Sequence, residues 1–165
     1  RGHGTVCDTP VTLADILPTL ITAAGGSPPE GADGVDVLSL ARNEADSSER
    51  YIIATGRIYP DWDPEYLAVT DGRWKYMWYP EGSTEQLFDL DTDPQELTNL
   101  AGQTAHQAKI DELKQILIDR LQHRPDCVED GQLIKRELQG DTEQDRRNKG
   151  WPGYHTEYHK LDVRH

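Results

Sequence analysis

Apolar and polar positions alternate with a period of two through residues 66–70 and 73–79, and two further runs, 51–55 and 86–90, are rich in β-prone residues. The pattern predicts four short strands. Asp71-Gly72 lies between the middle two and suits the central pair of a type I′ hairpin turn, where both residues take positive φ. That turn sets Thr70 opposite Arg73, Val69 opposite Trp74 and Leu67 opposite Tyr76, which collects the apolar side chains of both strands on one face. Arg73, Lys75 and Met77 then share the other face with Thr70, Ala68 and Tyr66. Residues 80–84, Pro-Glu-Gly-Ser-Thr, supply turn chemistry before the next strand, so the expected arrangement is a meander.

The period changes to that of a helix in two places. Leu13, Ile16, Leu17, Leu20, Ile21 and Ala24 follow a wide helical stripe behind the capping-box pattern Thr12-Leu13-Ala14-Asp15, and Gly25-Gly26 ends it. Pro18 lies inside this helix and predicts a kink or a tightened first turn. No equally apolar partner is adjacent in sequence, so the helix is expected to pack on a larger body. Residues 106–123 place Ile110, Leu113, Leu117 and Leu121 at spacings of three, four and four, with Ile116 widening the stripe. This second helix is expected to cover one face of the meander, giving an α+β unit.

Two stretches carry a more specific signal. Asp-Gly-Arg-Trp-Lys-Tyr at 71–76, Leu-Phe-Asp-Leu at 87–90 and the spacing Asp93-Pro94, Glu96, Asn99-Leu100 occur in that order, and Asp93, Pro94 and Glu96 read as a capping box opening a short helical turn. Pro10-Val11, Asp15, Pro18-Thr19-Leu20 and Ala24-Gly25 precede them, followed by Gly34 and the run 35–40. Together these resemble the C-terminal region of the sulfatases, in the alkaline phosphatase superfamily. The phosphonate monoester hydrolases of that superfamily are the main competing resemblance.

The resemblance implies an α+β fold: an antiparallel sheet of about four strands covered by one long C-terminal helix, preceded by a helix of a larger α/β domain. Residues 1–45 would be the end of that large domain, 46–124 the C-terminal subdomain and 125–165 a C-terminal extension. The extension reads as a tail, since periodicity fades after Pro125 and residues 141–149 are charge-rich. The chain opens on Arg1 without a signal-like apolar stretch, which is the expectation for a piece of something longer. The family suggests a periplasmic or secreted location.

Composition narrows the partners. The formal charge is −13 and only 35% of residues are hydrophobic, so the overall field repels nucleic acid. No run of about eighteen apolar residues is present, and no membrane span is expected. Two cysteines, Cys7 and Cys127, are too far apart for a zinc knuckle and either pair or stay free.

The segment 56–65 carries the candidate binding residues Arg57, Tyr59 and Trp62. An arginine offers bidentate donors to an anion and an aromatic ring a flat face to a sugar. The alternative is a proline-rich connection whose Trp62 covers the sheet edge. No catalytic residue and no metal ligand is assigned within the chain. Sulfatases use a formylglycine made from the cysteine of Cys-x-Pro-x-Arg, assisted by a divalent cation, calcium. Cys7-Asp8-Thr9-Pro10-Val11 sets proline one place late and valine where arginine is needed, so the resemblance places formylglycine and cation in an N-terminal part outside this chain. His155 and His159, four apart, are read as tail histidines rather than a metal pair, because Pro152-Gly153 opposes a helix there. Asp89, Asp91, Asp93 and Asp61, Asp63, Glu65 lack the glycine and terminal glutamate of a calcium loop.

The implied function is that of the C-terminal portion of a sulfuric ester hydrolase, completing the fold and lining the substrate cleft, inactive by itself. Its implied partners are the N-terminal sulfatase domain and a sulfate ester, possibly of a sugar. A phosphonate or phosphate monoester hydrolase and a stand-alone, non-catalytic binding module are the alternatives.

Overall fold

The computed structural model describes residues 6–42, 44, 50–56 and 65–137. A four-stranded antiparallel sheet holds the centre: β1 (Ile52–Gly56), β2 (Tyr66–Thr70), β3 (Trp74–Tyr79) and β4 (Thr84–Asp89), lying side by side in chain order. The expected α+β meander is what forms. Helix α3 (Gln107–Leu121) packs across one face, as its stripe demands: Ile110, Leu113, Leu117 and Leu121 are buried against Leu67, Val69, Tyr76, Trp78 and Leu87.

The hairpin register differs from expectation by two residues. Thr70 pairs with Lys75, Val69 with Tyr76 and Leu67 with Trp78, and the Asp71 amide bonds the Trp74 carbonyl at 3.2 Å. The central pair is therefore Gly72-Arg73, with Gly72 at φ 100°, the positive-φ first position of a type II′ turn. The cause is the Asp71 carboxylate, whose Oδ1 accepts the Arg73 amide at 3.0 Å and the Trp74 amide at 2.6 Å. This Asx-type arrangement holds Asp71 at the flank of the turn. Because the slip is two rather than one, every side chain keeps its predicted face.

The segment after β4 explains the spacing that carried the resemblance. Asn99 Oδ1 accepts the Leu87 amide at 3.0 Å while its Nδ2 donates to the Glu85 carbonyl at 3.2 Å, and the Leu100 amide bonds the Leu87 carbonyl at 2.9 Å. Together they occupy the exposed hydrogen-bonding edge of β4, which would otherwise invite pairing with another chain. Asp93 Oδ2 accepts the Thr98 amide. Glu96, however, sits at φ 57° and its carboxylate reaches Lys75 Nζ at 2.7 Å, so the predicted capping box and helical turn do not form. The lysine outcompetes the cap because it offers the glutamate a charged donor.

The N-terminal arm starts with a tight 3-10 turn (Leu13–Asp15), then α1 (Ile16–Ala23) and α2 (Val37–Ala41). Pro18 falls in the first turn of α1, where its missing amide costs nothing, and the expected tightening appears as the 3-10 turn before it. Gly25 and Gly26 close α1: their amides bond the Thr22 and Ile21 carbonyls, a Schellman stop.

Residues 125–137 do not trail away. Pro125 is followed by a two-strand ladder, β5 (Val128–Glu129) with β6 (Gln132–Leu133), turned on Asp130-Gly131 at φ 50° and 71°. Cys127, Val128 and Leu133 are buried in the main core, which corrects the expectation of a tail beginning at 125. Burial of these three side chains outweighs the absence of any period, since a strand of two residues is too short to show one. Cys7 is exposed and Cys127 is buried.

Candidate functional site

Arg57, Tyr59 and Trp62 lie outside the described residues, as do Asp61, Asp63, His155 and His159. What can be built is the root of the loop 57–64. Gly56 ends β1, Tyr66 opens β2, and the two are register partners. The Glu65 amide bonds the Gly56 carbonyl at 2.8 Å, closing the neck of the loop. A Cβ on Gly56 would meet the Tyr66 ring at 2.0 Å, so any other residue there would have to displace that ring. Tyr79 stands beside Tyr66 with ring centroids 6.3 Å apart, and its hydroxyl donates to Gln86 Oε1 at 3.2 Å. Burial raises the Tyr79 hydroxyl above its ordinary pKa, so it stays a neutral donor at physiological pH. Two phenol rings thus form a firm, half-buried base for the loop.

Ionic locks hold the rest of the unit. Arg73 Nε and Nη2 grip the two oxygens of Asp89 at 3.1 and 3.0 Å. The arginine hydrogen bonds hold the Asp89 carboxyl below its usual range against the opposing effect of burial. This occupies Asp89 as a partner for arginine. Tyr76, fully buried under α3, donates to Glu85 Oε2 at 2.8 Å, and Lys114 reaches the same oxygen while lying 4.8 Å from the centre of the Trp78 ring. Burial, followed by the Glu85 hydrogen bond, pushes the Tyr76 hydroxyl far above the ordinary phenol range.

One buried carboxylate ties the arm to the segment that enters β1. Asp15 is fully buried and accepts the Thr12 amide at 2.7 Å, the Val35 amide at 2.9 Å and the Arg50 guanidinium, while Arg50 Nε also donates to the Pro10 carbonyl at 2.6 Å. Burial works to raise the Asp15 carboxyl, but the two amides and the guanidinium outweigh it and hold the pKa below its ordinary value. Arg50, which precedes β1, went unnoticed in the sequence. A pair 35 residues apart leaves no periodic trace, and the one clue is a charged residue directly before an apolar strand.

Among the described residues, no group of three or more histidine, cysteine, aspartate or glutamate side chains is placed to hold a metal. Hydrogen bonds involving the Thr9 side chain and backbone lower the Cys7 thiol pKa. Its sequence surroundings still do not match the formylglycine motif.

The fold is shared with enzymes that hydrolyse esters. A solved structure described as a 2-O GAG sulfatase superposes with a TM-score of 0.55 at 28% identity, over 66% of this chain and 24% of its own. The phosphonate monoester hydrolase of Agrobacterium radiobacter gives 0.51 at 26% identity, over 68% and 25%. An arylsulfatase of Clostridium perfringens is 33% identical over 131 residues, 79% of this chain and 27% of that protein. The family model described as N-sulphoglucosamine sulphohydrolase, C-terminal, matches residues 2–123, and the chain belongs to that sulfatase family. It spans about a quarter of the length of the curated relatives it matches.

Proposed function

We propose that this chain is the C-terminal portion of a sulfuric ester hydrolase, that it completes the fold of the enzyme, and that its loop 57–64 walls one side of the substrate cleft. The observation that carries the reading is the family match over residues 2–123 combined with the bare apolar stripe of α1 and the turn before it, where Leu13, Ile16, Leu17 and Leu20 are all exposed. A stripe of that width needs a covering surface, and the N-terminal sulfatase domain is the partner of the right kind. Ester cleavage belongs to that domain. The formylglycine implied by the family does not fit the sequence around Cys7, and among the described residues no ligand group fits its calcium, so both are assigned to the remainder of the protein.

The substrate is a sulfate ester, and a sulfated sugar is favoured by the 2-O GAG sulfatase among the fold relatives. Arg57 would pair with an anionic group of the substrate and Trp62 would stack on its ring. In the full-length enzyme, Arg57→Ala and Trp62→Ala are expected to change the ratio of kcat/KM between a sulfated disaccharide and 4-nitrophenyl sulfate. Unchanged ratios in both variants would remove the loop from specificity.

The phosphonate monoester hydrolase reading is kept alive by the Agrobacterium radiobacter enzyme, whose TM-score is close to that of the sulfatase. Steady-state rates on paired aryl sulfate and aryl phosphonate substrates decide it: faster turnover of the phosphonate would reverse the assignment.

A further inference from the structure

The pair Asp-Gly occurs three times, at 33–34, 71–72 and 130–131. In such a pair the backbone amide of the glycine can attack the carboxyl carbon of the aspartate, because glycine has no side chain to obstruct the approach. The attack needs three freedoms: a carboxyl group that can swing, an amide that is not already donating, and a peptide unit that can rotate. The three pairs differ in which of these they keep.

At 71–72 the first two are withdrawn. Asp71 Oδ1 accepts the Arg73 and Trp74 amides at 3.0 and 2.6 Å, and the Gly72 amide donates to the Thr70 hydroxyl at 3.0 Å. At 33–34 the peptide unit is clamped. A Cβ on Gly34 would fall 2.1 Å from the Ala14 carbonyl oxygen and 2.7 Å from the Asp15 nitrogen, and the next amide, that of Val35, is bound to Asp15 Oδ1 at 2.9 Å.

The pair 130–131 keeps all three. Asp130 and Gly131 are exposed, and a Cβ built on Gly131 would have nothing within 4 Å. Neither the Asp130 carboxylate nor the Gly131 amide has a hydrogen-bond partner among the described residues. Asp130 is held at φ 50°, in the left-handed region that is costly for a residue with a side chain, so opening the turn relieves strain. The flanking strands are two residues each and their pair next to the turn, Glu129 with Gln132, is exposed, which leaves the turn free to fray.

We propose that Asp130-Gly131 is a site of isoaspartate formation, selected over the other two pairs by its open turn, and that the conversion breaks the register of the β5–β6 ladder. The Gly131 nitrogen bonds to Cγ of Asp130, its proton passes to solvent, and a carboxyl oxygen leaves as water, closing a cyclic imide. Water then adds at the former α carbonyl and the bond from that carbon to nitrogen breaks. The chain now runs through Cγ, and the old α carbonyl is a free carboxylate. One water is released and one consumed, so no other reactant is needed. The product carries an extra backbone atom in a turn whose length sets which residues face each other, and Val128 no longer opposes Leu133. Both side chains are buried in the core beside Cys127, whose carbonyl accepts the Ile134 amide at 2.9 Å, so these contacts loosen together.

The test ages the full-length protein in warm neutral buffer and locates isoaspartate by peptide mapping after enzymatic methylation of isoaspartyl carboxylates. Isoaspartate is expected at 130, with a smaller yield at 33 and roughly a hundredfold less at 71, where three hydrogen bonds must be given up before attack. Thr70→Val, which frees the Gly72 amide, should raise the yield at 71 and leave that at 130 unchanged. Asp130→Glu, whose longer side chain closes an imide poorly, should leave position 130 unmodified. The Ile134 amide should exchange with solvent faster in the isoaspartyl form than in the unconverted form. Equal yields at the three pairs, or a larger yield at 33 or 71 than at 130, overturns the selection by structure. Absence of isoaspartate at 130 under conditions that convert a free peptide of residues 126–135 overturns the site itself, and an Ile134 exchange rate common to both forms overturns the effect on the ladder.

Discussion

Leu17 and Leu117 are the same side chain on two amphipathic helices of one chain, yet 57% of the first is exposed and none of the second. Helix α3 found its partner in the sequence that precedes it: the inward faces of β2, β3 and β4 accept its stripe, and the segment through β5 and β6 closes the remaining side with Cys127, Val128 and Leu133. Helix α1 has as regular a stripe and no such surface. Its buried residue is Pro18, and the attachment of the arm to the sheet runs through polar contacts of Asp15, Arg50 and the Pro10 carbonyl. Periodicity therefore states that a helix has a face to bury, and says nothing about which chain supplies the cover. In the reading proposed above, the arm belongs with the catalytic domain and the α+β unit stands on its own core.

The largest effect that separates the two regions is expected in the core. Leu117→Ala should cost about 2–5 kcal/mol in chemical unfolding, since it opens a cavity in a fully enclosed site. A cost below about 1 kcal/mol would mean that the core is looser than its burial implies.

Next is the link between the regions. Arg50→Ala leaves Asp15 buried without its cation, a loss of about 3 kcal/mol, at the low end for a broken buried pair because the released arm can carry the carboxylate into water. The loss should appear as proteolytic cleavage within residues 24–36, with the sheet intact. Acid should act on the same link. The Asp15 pKa is lowered in the folded state, so its contribution is complete above the unfolded value of about 3.9 and is lost as pH falls below that toward the folded pKa. The arm should thus become protease-sensitive below about pH 4, and Asp15→Asn should remove that pH dependence. Cleavage that is independent of pH would show that Asp15 is not the tie.

The smallest effect belongs to the exposed stripe. Leu17→Ala should change the stability of the chain alone by less than about 0.5 kcal/mol, while weakening the full-length enzyme by more than that. A comparable loss in both would place the cover of Leu17 inside this chain.

The alternation in residues 66–79 made the meander and its inward face legible, and the stripe of residues 106–123 made the covering helix legible. What the pattern could not supply was competition for hydrogen bonds. Asp71 was read as a turn-centre residue, but its carboxylate captures two amides and becomes a flank. Glu96 was read as a cap, but a lysine 21 residues earlier holds it. The β5–β6 ladder was missed although it contains Asp130-Gly131 between Val128 and Leu133, the hairpin signal already applied at Asp71-Gly72. Strands of two residues give that signal nothing periodic to flank. The structure fixes the root of the candidate loop at Gly56 and Tyr66, while Arg57, Tyr59 and Trp62 rest on sequence and resemblance.

Amide hydrogen exchange over Ile16–Ala23, measured on the 165-residue chain and again within the full-length protein, bears most directly on the contrast between the helices. The account predicts rapid exchange of α1 in the chain alone beside a slowly exchanging α3, and slow exchange of both once the rest of the enzyme is present. An α1 as protected as α3 in the chain alone, or equally unprotected in both settings, would contradict it.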